Sequence, residues 1–260
     1  MGIDLADTKE RALPHAQTRE DYLVYLKHVA LYDFAKSYSA DKTVLDLGCG
    51  EGYGSAALAR SARFVVAADY DFAAVAHAAQ KYRGSRLAFI VCDAQRLPFH
   101  SDAFGVVVSF EVIEHIPNVA RYLAEIKRIG ATALISTPNR ALRLLPFQKP
   151  WNRYHLREYA ARDFAQTLAR IFARTQVRGV TATPVILEIE KRRVKQNPLI
   201  AYPKMFAQMW LPRAVRAAVK RKPPQPTAPP AFSTNEYSAQ DFFVNDETEE
   251  CINLLAVCTR

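Results

Sequence analysis

The sequence lacks the features of a membrane-spanning or disulfide-bonded protein. It has no run of about 18 or more consecutive apolar residues, the length that a membrane-spanning helix requires. None of its four cysteines is in a Cys-x-x-Cys spacing, and each lies among apolar residues. We therefore expect reduced thiols buried in the core of a cytoplasmic protein. The N-terminal residues are polar and of mixed charge, so no signal peptide is expected.

Acidic residues are scarce relative to basic ones. The chain of 260 residues carries 35 Lys and Arg against 26 Asp and Glu, a formal net charge of +9, and much of the basic excess lies in the last third. This balance suits a polyanion, an anionic membrane surface or an acidic substrate, and charge alone does not choose among them. With 50% hydrophobic residues, the chain can bury the core of one large domain.

Short apolar runs alternate with helical patterns after the first 40 residues. Such alternation is typical of βαβ units and a parallel sheet. We predict an α/β fold with a doubly wound, mostly parallel, seven-stranded Rossmann-like sheet and helices on both faces. The predicted strands are TVLDLG, RFVVAAD, LAFIVCD, AFGVVVSF, ATALISTP, a sixth strand within RTQVRGVTATPVILEIE, and CINLLAVCT.

The pattern divides the chain into four parts. Residues 1–40 are predicted as an N-terminal helical lid, 41–190 as the sheet core, 191–248 as a basic, proline-rich insertion, and 249–260 as the last strand. Within the insertion, MFAQMWLPRAVRAAVKRK mixes Met, Phe, Trp and Leu with Arg and Lys, the pattern of an amphipathic helix at a membrane interface. A solvated basic face is the alternative. KPPQPTAPPAF is predicted as a polyproline-like linker.

The predicted first strand ends in a glycine-rich turn, VLDLGCGEGYG. Glycine allows positive φ and a close approach of the backbone to a ligand. The nicotinamide fingerprint fails because Tyr53 occupies the place of its third glycine, and no Lys-Ser or Lys-Thr follows to make a P-loop. An acidic strand end, Asp46, followed by Gly48, Gly50 and Gly52 suits a cofactor with amino, carboxylate and ribose groups but no phosphate.

Acidic residues also end the next two predicted strands. Asp69 ends the second strand, where a carboxylate can accept from both hydroxyls of a ribose. Asp93 follows the third strand and can accept from the exocyclic amine of adenine, while the Ala94 amide can donate to the ring. Each acid alone can be explained as a helix N-cap. Acids at three successive strand ends favour a nucleoside site.

These segments resemble the class I S-adenosylmethionine-dependent methyltransferases over residues 28–163. VLDLGCGEGYG is similar to their motif I, VVAADYD to the second-strand acid, CDAQRLPF to the adenine motif, SFEVIEHI to the segment after the fourth strand, and ISTPNR to the fifth strand of the small-molecule and glycan branch. KRIGATALIS departs from the family, because it lacks the usual Pro-Gly-Gly turn. The resemblance implies S-adenosylmethionine as cofactor, lined by Asp46, Gly48, Cys49, Gly50, Gly52, Asp69, Tyr70, Asp93, Ala94 and Phe110.

FEVIEHIP places two acids and a histidine directly after the fourth strand. On a helix, Glu111, Glu114 and His115 would share one face. His155, after the fifth strand, can reach the same cleft. This E-x-x-E-H pattern with a distant histidine is similar to that of two branches of the family, the ubiquinone-biosynthesis O-methyltransferases and the small-RNA methyltransferases. In the second branch, which acts on a terminal ribose, the set binds a divalent metal. By ligand softness, Mn²⁺, Fe²⁺, Co²⁺ or Zn²⁺ suits two carboxylates and two imidazoles better than Mg²⁺.

Three interpretations of these four residues stay open: metal ligands, a metal-free general base at His115 or His155, and a structural role. An alcohol needs a base or a metal to lose its proton, so the expected function is O-methylation of a hydroxyl on a glycan, polyol or phenolic small molecule. An RNA ribose 2'-O-methyltransferase and a non-catalytic cofactor-binding subunit are the alternatives. Without a recognisable RNA-binding module, nucleic acid is not the expected partner. The expected location is the cytoplasm, peripheral to the inner face of the membrane if the basic segment binds lipid.

Overall fold

A single eight-stranded sheet organises the chain in the computed structural model, which describes residues 16, 18–144, 148–150, 152–193 and 233–260. The strands are β1 (Thr43–Leu47), β2 (Phe64–Asp69), β3 (Leu87–Val91), β4 (Phe104–Phe110), β5 (Gly130–Pro138), β6 (Arg174–Ala182), β7 (Phe242–Asn245) and β8 (Asn253–Thr259). Their spatial order is β3-β2-β1-β4-β5-β8-β6-β7. The first five strands are parallel, while β8 runs antiparallel to both β5 and β6. The predicted doubly wound α/β fold is confirmed.

The helices cover both faces of this sheet. They are α1 (Arg19–Ser39), α2 (Tyr53–Leu58), α3 (Phe72–Lys81), α4 (Val119–Ile129), α5 (Arg140–Arg143), α6 (Ala161–Ala169) and α7 (residues 184–193). Successive residues of β4 point to opposite faces, so Val107 packs in the cluster with α4 and α6, and Val106 and Val108 pack in the cluster with α1 and α2. Burial on both faces explains why the strands are almost continuously apolar. None of the described helices has the length and apolarity needed to cross a bilayer.

The order of the strands reverses between β1 and β4. From β1 the chain winds outward through β2 and β3, and it then returns to place β4 on the other side of β1. The loops that leave the carboxyl ends of β1 and β4 diverge there and open a crevice, the position at which such sheets bind ligands. The glycine turn and the EVIEH segment are these two loops.

The C-terminal third differs from the prediction in two ways. The sheet has eight strands rather than seven, because the short edge strand β7 lies within residues 191–248, the range predicted as an insertion. The predicted sixth strand stops at Ala182, and α7 follows. Pro184 is its first helical residue; proline cannot extend a sheet ladder but suits the first turn of a helix. The predicted interfacial helix and the proline-rich linker lie outside the described residues.

The connection that lacks Pro-Gly-Gly is direct. Helix α4 ends at Ile129 and β5 begins at Gly130, whose N–H still caps the helix on the Ile126 carbonyl. A Cβ on Gly130 would lie 2.5 Å from Cγ2 of Val107 on the neighbouring strand. Glycine therefore lets the chain turn from helix to strand against β4 without a loop.

Candidate functional site

The glycine turn after β1 is held in a conformation that favours glycine. Gly48, Gly50 and Gly52 have φ values of 83°, 49° and 78°, in the left-handed region. A Cβ on Gly48 would lie 2.3 Å from Cγ2 of Val112, whereas a Cβ on Gly50 would meet nothing within 4 Å. Gly48 therefore permits close packing beneath the loop, and Gly50 faces open space in the cleft.

Acidic side chains stand opposite this turn, as the sequence predicted. One carboxylate oxygen of Asp69 accepts from the Gly50 amide at 2.9 Å, and the other accepts from the Asp71 amide at 2.9 Å. Asp93 lies beyond the next strand, where Oδ1 accepts from the Gln95 amide at 2.8 Å. Tyr70 is 81% exposed on the rim of the same cleft. An aromatic face and two carboxylates thus border one cavity.

The cleft has a volume of about 800 Å³ and joins the glycine turn to the segment after β4. Most of the predicted cofactor residues border it: Gly48, Cys49, Gly50, Asp69, Tyr70, Asp93, Ala94 and Phe110. The same cleft is lined by Glu111, His115 and His155. One continuous cavity therefore connects the end that carries the glycine turn, Asp69 and Asp93 to the end that carries the two histidines.

Asp46 and Gly52 do not line the cleft, although both were predicted to contact the cofactor. Asp46 is 1% exposed; its carboxylate accepts from the hydroxyl of Tyr32 at 3.1 Å and from the hydroxyl of Ser55 at 2.5 Å. Burial raises the pKa of Asp46 to about 6, although both hydroxyl donors act in the opposite direction. Asp46 ties α1 and α2 to the end of β1 and supports the turn from behind.

The prediction that Glu111 shares a helical face with Glu114 and His115 is wrong. Glu111 has φ 55°, and only Ile113–His115 form a 3₁₀ turn, so Glu111 precedes the helical residues. Its carboxylate forms an ion pair with Lys27, lies 3.1 Å from Nε2 of His28 and accepts from the Asn253 amide at 2.6 Å. The reversal of the backbone at Glu111 turns this side chain toward α1 and β8.

Glu111 and Lys27 form a buried charge network that the sequence did not reveal. Lys27 is 4% exposed, and its ammonium also donates to Oδ1 of Asn253 at 2.9 Å. Burial alone would raise the pKa of Glu111, but Lys27 and His28 outweigh it and hold that pKa well below its usual range. The ion pair between Lys27 of α1 and Glu111, which follows β4, therefore forms part of one wall of the cleft.

Glu114 lies in a different environment from Glu111. Its side chain is fully buried; Oε2 accepts from the hydroxyl of Thr137 at 3.1 Å, and Oε1 accepts no hydrogen bond from the described residues. Burial and the negative charge of Glu111 raise the pKa of Glu114 to about 8. Glu114 is therefore a carboxyl group that is neutral near pH 7 unless a cation approaches it.

The two predicted histidines meet next to Glu114. The rings of His115 and His155 pack edge to face with centroids 4.8 Å apart. Nδ1 of His155 lies 2.8 Å from Oε1 of Glu158, and Oε2 of Glu158 lies 3.4 Å from Nε of Arg143. One ligand atom from each of Glu114, His115 and His155 lies within 4.8 Å of the other two. The structure thus brings together three of the four predicted metal ligands.

Sequence reasoning missed the residues that support this cluster. Glu158 is buried beneath His155, three residues further along the chain, and this i, i+3 spacing was the available signal. Lys27 and His28 line the cleft from α1 together with Asp21 and Val24, so three of these four residues are charged or polar. The sequence analysis predicted a helical lid at residues 1–40 without assigning these residues to the cleft.

Comparison with known proteins agrees with the geometry. Residues 45–132 match the family model described as a methyltransferase domain. A protein named "Probable S-adenosylmethionine-dependent methyltransferase" from Mycolicibacterium smegmatis is 35% identical over 164 residues, 62% of this chain and 62% of that protein. A protein of the same description from Mycobacterium tuberculosis is 35% identical over 164 residues, 62% of this chain and 58% of that one. The chain thus spans less than two thirds of the length of these curated relatives.

A more distant relative is the phthiotriol/phenolphthiotriol dimycocerosates methyltransferase of Mycobacterium tuberculosis. It is 32% identical over 90 residues, which are 34% of this chain and 33% of that protein.

Solved structures share the fold at low identity. The [4+2]-cyclase SpnF superposes with a TM-score of 0.55 and 18% identity over 90% of this chain and 81% of that one. A methyltransferase bound to the Trm112 activator of Haloferax volcanii superposes with a TM-score of 0.56 and 16% identity over 92% of both chains. These likenesses establish the fold alone, and the cyclase shows that the fold does not dictate the reaction. Over residues 45–132 the chain is thus similar to a methyltransferase domain, and its named relatives are described as S-adenosylmethionine-dependent methyltransferases.

Proposed function

We propose that the protein transfers a methyl group from S-adenosylmethionine to a hydroxyl oxygen of a small molecule, glycan or lipid-linked acceptor. The observation that carries this proposal is the His155–Glu158 pair, which lies in the same cleft as the glycine turn. Amines and thiolates need little help as nucleophiles, whereas an alcohol must lose a proton. A buried imidazole aligned by a carboxylate is a device for that task.

The residues at the end of the cleft that carries the glycine turn fit the cofactor. Asp69 would accept from the ribose hydroxyls, Asp93 would accept from the adenine amine, and Tyr70 would cover the base with its exposed ring. The open space at Gly50 leaves room for a ligand against the backbone. When bound, the cofactor supplies an electrophilic methyl group on a sulfonium. Because displacement at that carbon is in line, the protein's task is to align the acceptor and to remove its proton.

We assign proton removal to His155. Nδ1 faces Glu158, so the tautomer that donates from Nδ1 to this carboxylate leaves Nε2 free to accept a proton. Glu158 is buried, and Arg143 balances its charge. A buried carboxylate that fixes the ring and stabilises the imidazolium is the arrangement that general bases of this kind require. Glu158 acts through His155 and is a positioning residue.

A divalent ion held by Glu114, His115 and His155 is the second route to the same reaction. The unpartnered Oε1 of Glu114 favours it, and Zn²⁺, Mn²⁺, Fe²⁺ or Co²⁺ suits the donors better than Mg²⁺. Two atoms bound to one ion at about 2.1 Å are at most about 4.2 Å apart. Any pair of these ligand atoms as far apart as the 4.8 Å limit would therefore have to move about 0.6 Å closer. Because Glu111 is committed to Lys27, we rank the metal-free base first.

The proposed class of methyl acceptor rests on the chemistry of the site and on the name of one relative. The phthiotriol/phenolphthiotriol dimycocerosates methyltransferase is named for a lipid substrate, so lipid-linked hydroxyls are the first acceptors to test. RNA ribose methylation and non-catalytic cofactor binding are the competing functions.

The test incubates the purified protein and methyl-labelled cofactor with one fraction at a time: a cell-envelope lipid extract, a glycan fraction or total RNA. Label in a lipid or glycan ether supports the proposal, label in RNA replaces it, and cofactor binding without transfer to any fraction favours the non-catalytic role.

Variants separate the two routes to activation. His155→Asn should lower turnover by about 100-fold or more, because general bases contribute that much, while cofactor binding is retained. Glu158→Gln should lower kcat with little change in KM, and His100→Asn, at an exposed histidine, is the matched control. If EDTA abolishes turnover and Zn²⁺ or Mn²⁺ restores it, the metal route is correct. Full activity in EDTA leaves His155 as the base.

A further inference from the structure

The loop that carries His155 presents apolar side chains to solvent at the rim of the cleft. Tyr154 is 38% exposed and Leu156 is 54% exposed, whereas the side chain of His155 between them is 7% exposed. Backbone contacts hold the loop over the end of the cleft that carries His115 and His155. The Leu156 amide donates to the Glu114 carbonyl at 2.9 Å, and the Tyr154 carbonyl lies 3.2 Å from Nδ1 of His115. Alternation along this segment therefore places one side chain in the cleft and its neighbours at its rim.

The charged residues that neighbour these two in the sequence are of one sign. Residues 140–157 contain five Lys and Arg and no Asp or Glu, and the next acid, Glu158, is buried. Lys149 and Arg153 are exposed, and the guanidinium of Arg153 lies 4.5 Å from the centroid of the Tyr154 ring. Exposed aromatic and aliphatic side chains beside exposed bases are the composition of a surface that inserts into the headgroup region of a lipid bilayer.

Three other exposed apolar residues, Tyr70, Phe72 and Phe243, lie near acidic rather than basic residues in the sequence. Tyr70 and Phe72 flank Asp71 and follow Asp69, so their surroundings are acidic. Phe243, on the edge strand β7, is 46% exposed and precedes the acidic segment NDETEE. An anionic surface would be attracted by the basic loop and repelled by these other two sites. The contrast supplies both a direction of docking and a control residue.

We propose that one surface docks the histidine-bearing end of the cleft onto an anionic lipid bilayer. This rim surface consists of Lys149, Arg153, Tyr154 and Leu156. The occupant is a bilayer rather than RNA because Leu156, an aliphatic side chain, offers nothing to a polar phosphate backbone but gains from burial among acyl chains. The inference uses none of the residues of the interfacial segment predicted from the sequence. It is also independent of the proposed reaction, since docking can be measured without turnover.

Co-sedimentation of the full-length protein with vesicles tests the proposal. Binding should be stronger to vesicles of phosphatidylcholine mixed with phosphatidylglycerol than to phosphatidylcholine alone, and it should fall as salt is raised. Lys149→Gln should weaken binding to the anionic vesicles about fivefold, the effect of one base near such a surface. Leu156→Ser should weaken it at least as much, and the matched variant Phe243→Ser should leave it unchanged.

Circular dichroism and thermal melting verify that each variant is folded; should Leu156→Ser not fold, Lys149→Gln, at an exposed side chain, carries the test. Equal binding to neutral and anionic vesicles would overturn the proposal. So would unchanged binding of both rim variants, since another segment would then be the anchor. An RNA hairpin is the alternative ligand: if the hairpin binds, loses affinity in Lys149→Gln, and no vesicle sediments the protein, the rim surface binds nucleic acid instead.

Discussion

Replacement of Lys27 by methionine tests the buried ion pair on which one wall of the cleft depends. Lys27 is 4% exposed, and its ammonium contacts Glu111 and Asn253. Methionine retains most of the packing volume but leaves the Glu111 carboxylate with only His28 and the Asn253 amide. Removing one partner of a buried pair costs roughly 3–5 kcal/mol, because the other charge is left uncompensated. We expect the lower end, about 3 kcal/mol, because two partners remain.

That loss should lower the melting temperature by about 6–12 °C, at roughly 2–4 °C per kcal/mol for a domain of this size. The double variant Lys27→Met/Glu111→Gln removes both charges and should recover most of the loss. If the single variant melts like wild type, the pair is not the buried contact described here. If the double variant melts no higher than the single one, lost packing rather than the unpaired charge is responsible.

The same pair makes a prediction about pH. The pKa of Glu111 is held well below its ordinary value of 4.5, so the folded state binds this proton more weakly than the unfolded chain does. The stabilisation is therefore complete above pH 4.5 and is lost as the pH falls through the lower, folded-state pKa. Denaturant titrations at successive pH values should show a smaller acid-induced loss in Lys27→Met than in wild type, because its Glu111 pKa is depressed less.

Asp69→Ala should weaken S-adenosylmethionine and its demethylated product by about 1.5–3 kcal/mol each, since ribose hydroxyls would lose their acceptor; unchanged affinity by calorimetry would remove the ribose assignment. Gly54→Ala should destabilise the fold by about 1–3 kcal/mol, because a Cβ there would lie 2.0 Å from the ring of Tyr32. Gly84→Ala is its control, with nothing within 4 Å of the new Cβ, and equal melting of the two variants would contradict the packing. Glu114 has a pKa raised to about 8 from 4.5, so in EDTA wild type should lose stability as the pH rises between these values, by up to about 1.4 kcal/mol per unit. Glu114→Gln should not show this loss, and parallel pH profiles for the two proteins would refute the buried, unpaired carboxyl.

The fold could be predicted from the sequence because its signals are local. Each strand from β1 to β5 is a short apolar run, and helical patterns separate all of them except β3 and β4, so periodicity indicates the parallel sheet. The glycine turn was recognisable because positive φ at Gly48, Gly50 and Gly52 demands a residue without a side chain. Where local signals competed, prediction failed. The apolar run PVILEIE suited a strand as well as a helix, and Pro184 decided for a helix.

The candidate site was predicted in part, and the errors share one cause. Asp69, Asp93, His115 and His155 line the cleft as expected, because the carboxyl ends of parallel strands meet at one edge of a sheet. Asp46 was placed in the cleft because it ends a strand, yet hydroxyls from two helices hold it behind the turn. No sequence pattern predicts that Tyr32 and Ser55 are the hydrogen-bond partners of Asp46.

The sequence by itself determined the sheet, the glycine turn and the acids at successive strand ends, because strand periodicity and glycine's freedom at positive φ act over a few residues. Only the tertiary structure decided what each acid does. Glu111 and Glu114 are three residues apart, yet Lys27 and His28 hold the pKa of Glu111 well below its usual range, while burial and the charge of Glu111 raise that of Glu114 to about 8. Their charge states depend on burial and on groups brought from α1 and β5. Burial and these contacts depend on distances in space, which cannot be read from the order of the residues.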